Sequence, residues 1–403
     1  MFEKFGFYPA DILLPKNCDM NKWAVVACDQ YTSQPDYWER VEKHTENAPS
    51  TLNLVFPEIF LSDDNSERIE KINGNMNKYI NDGLFNTFEN TFIYVQRSIN
   101  GKIREGLVGM IDLENYDYSQ SSKALVRATE GTVQERIPPR VKIRENAPLE
   151  LPHVMLLIDD DKNLVFSSLE KGEKVYDFDL MESSGNIKGF LVKPTKALAD
   201  AFDALYEKGG ENPLLFAVGD GNHSLATAKA CYENIKKTYD GDLTKLPARY
   251  ALVEVVNIHS GALEFEPIHR VLFDVNPDHL LDEFRKYYNI SETDGAQKVV
   301  CCVKDVEKTL YITNPSNELS VGSLQKFLDF YLQEFGGKID YIHGDDVVKS
   351  LSMKDNSIGF ILEAMEKSDL FCGVSKDGPL PRKTFSMGEA WEKRFYIEAR
   401  KIK

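Results

Sequence analysis

The sequence predicts a mixed α/β protein, and three observations carry that reading. The stretch Leu214-Leu-Phe-Ala-Val-Gly-Asp-Gly-Asn-His-Ser-Leu-Ala-Thr-Ala228 passes from a short apolar run through Gly219-Asp220-Gly221 into a segment whose apolar positions Leu225, Ala228, Tyr232 and Ile235 recur at helical spacing. Upstream, Thr91 to Ile99 and Lys102 to Asp112 are β-patterned and joined by Asn100-Gly101, a residue pair suited to a two-residue hairpin turn. Beyond Asn276-Pro277, charged helical segments alternate with short strands. A chain of 403 residues, 42% of them hydrophobic, is folded but too long for one compact core. Three regions are expected: 1–125 with the hairpin, 126–275 as a central core, and 276–403 as a further α/β region.

Composition narrows the function. The formal charge of −16 and pI near 5.0 argue against nucleic acid or an anionic membrane as main partner, while local basic patches still suit a small anion. Met1 to Leu14 lacks a basic n-region followed by an apolar h-region, and no stretch reaches the ~20 apolar residues of a membrane span, so the expectation is a cytoplasmic protein. The six cysteines show no C-x-x-C spacing and no histidine at zinc distance, and are expected reduced, mostly in cores. The oligomeric state is not readable at this level.

Taken in order, Trp23 to Ala27 reads as a strand entering Cys28-Asp29-Gln30-Tyr31, and Pro35 introduces a helix carrying Tyr37, Trp38 and Val41. Ser62-Asp-Asp-Asn-Ser66 opens a helix through Ile69, Ile72, Met76 and Ile80 that stops at Gly83. After the hairpin, Arg127, Arg136, Arg140, Lys142 and Arg144 fall close together around Pro138-Pro139, an arrangement that suits an anion-facing loop better than a solvated helix laced with ion pairs. Val154 to Ile158 reads as a buried strand, Asp159-Asp-Asp161 as a solvated acidic turn, and Leu164 to Ser167 as the neighbouring strand. Thr195 caps a helix through Ala197, Leu198, Ala201, Phe202 and Leu205. Ala251 to Ile258 and Ala262 to Phe265 read as strands paired around Ser260-Gly261, and His269-Arg270 follow at a strand end. Helices over Pro277 to Tyr288 and Ser323 to Phe335 alternate with strands over Lys298 to Val303 and Leu310 to Thr313. A Pro-rich basic loop, Gly378 to Thr384, precedes a final strand over Arg394 to Ala399.

The chemistry concentrates at the 219–224 turn. A strand-to-helix junction presents free backbone N–H groups and the positive end of the helix dipole, which suits phosphate. Asp220, Asn222, His223 and Ser224 put an acid, an amide, an imidazole and a hydroxyl in one small volume, although the same residues also suit a capped turn. The loop is expected to line the deepest polar cleft of a core spanning residues 126–273.

Arg127-Ala-Thr-Glu130, Asp220-Gly-Asn-His-Ser-Leu-Ala-Thr-Ala228, Pro267-Ile-His-Arg270, Tyr341-Ile-His-Gly-Asp345 and Pro381-Arg-Lys-Thr384 together resemble the landmarks of the family named domain of unknown function 1015, over nearly the whole chain. The family's usual form of the central motif, Asp-Gly-His-His-Arg, is similar to the phosphate-binding motif of the ParB-like nucleotide-binding fold, which includes free-serine kinases. Here Asn222 stands in place of the first His and Ser224 in place of the Arg. The resemblance implies ATP or ADP over the loop and phosphate transfer to or from a small hydroxy amino acid such as serine. In that scheme Gly219, Gly221, Asn222, His223 and Ser224 hold phosphate, and Asp220 binds Mg²⁺ or orients the acceptor. Glu130 is the general base, and Arg127, Arg140 and Arg144 supply the missing charge. His269, Arg270 and Lys383 are further candidates for the same cleft. The other reading is a regulatory module that binds a nucleotide or phosphometabolite without turnover.

Overall fold

Asn100 and Gly101 both take positive φ, 48° and 75°, and Ile99 pairs with Lys102 across them. That turn matches the right-handed twist of its strands, so it fixes the register of the long hairpin Phe85–Ile99 and Lys102–Asp112. In the computed structural model, which describes residues 1–62 and 64–403, this hairpin lies within an 11-stranded mixed sheet. The strand order is 171–179, 186–192, 85–99, 102–112, 250–257, 155–158, 216–220, 126–128 and 116–117, with 7–8 added on 102–112 and 10–15 on 85–99. Strand 216–220 runs antiparallel to 155–158 and parallel to 126–128.

The central strands are buried on both faces, which is why they read as continuous apolar runs. Leu156, Ile158, Phe216 and Val218 join one core with Leu198, Phe202, Leu225 and Tyr232 of the helices Lys196–Lys208 and Asn222–Lys236. Their alternate neighbours Met155, Leu157 and Ala217 face Leu370, Phe371 and Val374 of the helix Lys367–Asp377. Thr195 Oγ1 accepts the Leu198 N–H at 3.2 Å, as a helix N-cap should. The helices Pro35–Thr45 and Ser66–Asn81 bury Trp38, Val41, Ile72 and Met76 in a further core. The second helix opens at Ser66, and Asp63 of the expected opening lies outside the described residues.

A six-stranded antiparallel sheet follows, in the order 290–291, 306–312, 297–303, 357–361, 269–273 and 338–342, packed against the helices Pro277–Tyr287 and Ser320–Phe335. Its first strand in the chain, His269–Phe273, precedes residue 275. The C-terminus then returns to the first two regions: Phe395–Tyr396 pairs with Val25–Val26, Arg400–Lys401 with Leu149–Glu150, and Leu13 with Ala399.

Five expected elements differ. The basic segment expected as a loop contains the helix Ile137–Arg144, because Pro138 and Pro139 fall in its first turn, where their missing N–H groups leave no bond unmade. Leu164–Ser167 is a short helix because buried Asp160 accepts the N–H groups of Leu164 and Val165, at 2.9 and 2.8 Å, and so starts a turn where a strand was expected. Asp160 is accordingly enclosed, and the acidic turn is not wholly solvated. Phe265–Pro267 pairs with Phe385–Met387, since 250–257 already has 102–112 and 155–158 on its two edges. Trp23 closes a short helix, leaving a strand of Val25–Val26, and the final strand is split into 395–396 and 400–401. Among the described residues no helix is long and apolar enough to cross a membrane.

Candidate functional site

Strand Phe216–Asp220 ends with Asp220, and Gly221 at φ 80° turns the chain into the helix Asn222–Lys236. A side chain at 221 would place its Cβ 3.0 Å from Val154 Cα, so the turn needs glycine both for its backbone conformation and for its room. Leu225 N–H makes the first intrahelical bond, to Gly221 O at 3.0 Å, and the amides of Asn222, His223 and Ser224 are left for a ligand. They border a cleft of about 760 Å³. Thr129 Oγ1 donates to Val218 O at 2.7 Å and ties the neighbouring strand end, with Glu130 beyond it, to the same rim.

His223 is not a cation here. Its Nε2 accepts the Val133 N–H at 3.2 Å, which leaves Nδ1 to carry the proton. Burial, together with the nearby Arg140 and Arg136 charges, pushes the imidazole down to about 4. At neutral pH it therefore offers a phosphate one N–H donor and no charge. Burial pushes the Glu130 carboxyl above its ordinary value; Lys383 pulls it down, and the Asp220 charge adds to the rise. Asp220 accepts its neighbour's N–H, from Gly221 at 2.9 Å, and faces Lys393 Nζ at 3.3 Å.

The structure sorts the expected cations. Arg140 and Arg144 line the cleft, but Arg140 pairs with Glu58 and Arg144 with Glu150 at 2.5 Å. Arg127 does not reach the cleft lining: it sits buried on strand Val126–Ala128 and donates to Ala124 O and Asn212 O, at 2.8 and 3.0 Å, because its strand position turns it away from the rim. His269 and Arg270 also stand outside the lining. His269 pairs with Asp345 at 2.9 Å, and Arg270 holds the carbonyls of Ile268, Arg382 and Lys383. Arg270 thus braces the loop that brings Lys383 to the cleft. Gly219, Gly221, Asn222, Ser224, Asp220, His223, Glu130 and Lys383 all line it.

Arg136, Arg382 and Lys383 line the cleft without an ion-pair partner among the described residues. Arg136 and Arg382 act on the His223 charge, and Arg382 and Lys383 on Glu130, so these cations surround the loop. Sequence reading missed Arg382 and Lys393 as site residues; the basic motif Pro381-Arg-Lys-Thr384 was the available signal for the first, and Lys393 had none. It also missed a polar wall on which Tyr396 hydroxyl, accepting the Cys28 N–H at 3.2 Å, sits 2.7 Å from His153 Nδ1. His153 Nε2 lies 4.0 Å from Asp29. Burial pushes the Asp29 carboxyl up, but His153, a Gln30 hydrogen bond and Lys393 together hold it below its ordinary value. Another wall is apolar, with Phe56, Ile72, Met76, Ile143, Leu149 and Leu151.

No curated protein matches the chain in sequence. Among solved structures the chain has remote likenesses. A free serine kinase variant in complex with AMP is 11% identical, with TM-score 0.40 over 73% of this chain and 91% of that one. A conserved hypothetical protein from Pyrococcus furiosus is also 11% identical, with TM-score 0.37 over 73% and 94%. SbnI with a C-terminal truncation, from Staphylococcus aureus, is 10% identical, with TM-score 0.37 over 70% and 82%. The family model described as protein of unknown function (DUF1015) matches residues 12–331, and the chain belongs to that family.

Proposed function

We propose that the cleft binds ATP or ADP through its phosphates and that the protein transfers a phosphoryl group to or from a small hydroxy amino acid such as serine. The observation that carries this reading is the set of free amides at Asn222, His223 and Ser224, surrounded by Arg136, Arg382 and Lys383. Phosphoryl transfer asks a protein mainly for positioning and charge neutralisation, and this lining offers both. The apolar wall suits a nucleobase. Glu130, raised by burial, has the character of a general base: it would take the acceptor hydroxyl proton as that oxygen bonds to phosphorus and the nucleotide oxygen leaves. The acceptor class follows from the resemblance of the central motif.

The residues do not build a protein-held Mg²⁺ site at Asp220. Among the described residues no group of three His, Cys, Asp or Glu side chains is arranged to hold a metal ion, and the Asp220 carboxylate already faces the Lys393 ammonium.

That same ion pair favours a second reading, binding without turnover, because it occupies the acid nearest the loop. Incubation with labelled ATP or ADP and a panel of amino acids separates the two. Phosphoserine formation supports transfer. A nucleotide-dependent rise in melting temperature with no turnover leaves the binding module, and no response to any nucleotide sinks both.

A further inference from the structure

We infer that Lys393 is a phosphate-binding residue of the cleft and supplies the charge absent at Ser224, so that the C-terminal segment is a working part of the site; this rests on the nucleotide reading above. Asp220 is a problem for that reading as long as it stands alone. A carboxylate next to the free amides of 222–224 repels the anion that the amides attract, and in a partly enclosed site such repulsion is poorly screened. Lys393 Nζ lies 3.3 Å from Asp220 Oδ2, and both side chains are largely buried, at 17% and 19% exposure. An ammonium has three N–H donors, and Asp220 is its one ionic partner among the described residues. Lys393 can therefore keep Asp220 neutralised and still donate to a phosphate oxygen. His223 cannot take this role, since its imidazole is uncharged at neutral pH.

The placement of Lys393 is built into the fold. The buried Arg97 guanidinium donates to four carbonyls: Ser184 at 2.9 Å, Trp391 at 2.5 Å, Glu392 at 2.8 Å and Lys393 at 2.6 Å. Arg104 adds a bond to Glu392 O at 3.1 Å. On the other side, Arg394 is fully enclosed and pairs with Glu254 and Glu398. The backbone at 391–394 is thus held on both sides of Lys393, whose side chain lines the cleft with its Nζ beside Asp220. Ordering this segment in the apo protein lowers the entropic cost of presenting the ammonium when ligand arrives. Residue 393 lies beyond 331, where the family match ends.

The test titrates adenosine, AMP, ADP and inorganic pyrophosphate into the full chain by calorimetry. It compares wild type, Lys393→Gln, Lys393→Arg and the double variant Asp220→Asn/Lys393→Gln. Lys393→Gln is expected to weaken ADP and pyrophosphate by about tenfold or more while adenosine is unchanged. Lys393→Arg keeps the charge and retains most of the affinity. The double variant recovers part of the loss, because the bare carboxylate is gone. In wild type, ADP and pyrophosphate should also slow acetylation of Lys393 read by mass spectrometry, and adenosine should not, a measurement that needs no variant to fold. Lys393→Gln binding ADP and pyrophosphate as wild type does, or Lys393 acetylating at the same rate with and without them, overturns the inference alone. Wild type that binds none of the phosphorylated probes overturns the nucleotide reading with it.

Discussion

Replacing His223 by Gln isolates one titration. In the folded chain burial and the neighbouring arginines hold the imidazole at about 4, against 6.5 ordinarily. Below pH 6.5 the unfolded chain binds a proton that the folded chain refuses, so stability is fully present above 6.5 and is lost as the pH falls toward 4. At about 1.4 kcal/mol per pH unit, the upper bound on the loss between 6.5 and pH 5 is about 2 kcal/mol. Solvent in the cleft reaches part of the ring, and screening reduces the expected figure to about 1 kcal/mol. Gln does not titrate, and its Oε1 can accept the Val133 N–H that His223 Nε2 accepts at 3.2 Å, so stability near neutral pH should change little. Urea unfolding at about pH 7.5 and about pH 5 measures the difference, and the wild type should lose about 1 kcal/mol more than His223→Gln. Equal losses in the two proteins would refute the placement of His223 as a neutral acceptor among cations.

The other predictions separate binding from scaffolding. Arg136→Ala and Arg382→Ala should each weaken ADP binding with little change in melting temperature, because neither has an ion-pair partner among the described residues to strand; calorimetry with a parallel melt checks both. Arg144→Ala should behave in the opposite sense, since it takes one of two guanidinium partners from buried Glu150 and should lower stability by about 1–3 kcal/mol in urea titration. Gly221→Ala combines a left-handed conformation with a Cβ 3.0 Å from Val154 Cα, and should cost about 2 kcal/mol or more and disturb the 222–224 amides. A Gly221→Ala protein with wild-type melting and ADP affinity would show that the turn is not the binding element.

Legibility followed the range of the interactions. The Asn100-Gly101 turn, the Thr195 cap and the junction at 219–222 are set by residues adjacent in the chain, and the structure has them where the sequence places them. Leu164–Ser167 misled because four apolar-rich residues suit either a strand or a turn of helix, and Asp160, two buried bonds away, decided it. Strand 262–265 misled because pairing depends on which edges are free, and both edges of 250–257 were taken. Among the site residues, spacing showed that the arginines of 127–144 cluster, but not which of them are paired. Glu58, 82 residues earlier, takes Arg140; Glu150, six residues on, takes Arg144 from a strand past the helix end; and Arg127 points to carbonyls. Lys393 carries no local signal, since its position depends on Arg97, nearly three hundred residues earlier in the chain.

The acidity of the chain and the group of cations around the 219–224 loop are compatible, and together they favour a small ligand. The formal charge of −16 is spread over a surface of 18068 Å², whereas Arg136, Arg382, Lys383 and Lys393 are gathered around one loop. At physiological salt, fields from exposed charges fade over about 8 Å, while charges within an enclosed cleft are screened much less. A ligand small enough to enter meets the local cations and the amides of 222–224 and leaves the outer acids behind a Debye length. An extended polyanion must lie along the outer surface and meets the net negative charge. The local motif alone gives a weak anion site, because its amides carry partial charge and its own Asp220 opposes them. On the proposed nucleotide reading, it gains the charge to hold a phosphate when the loop at 382–383 and the segment at 391–394 fold back onto it, a return fixed by the pairing of 395–396 with 25–26 and of 400–401 with 149–150.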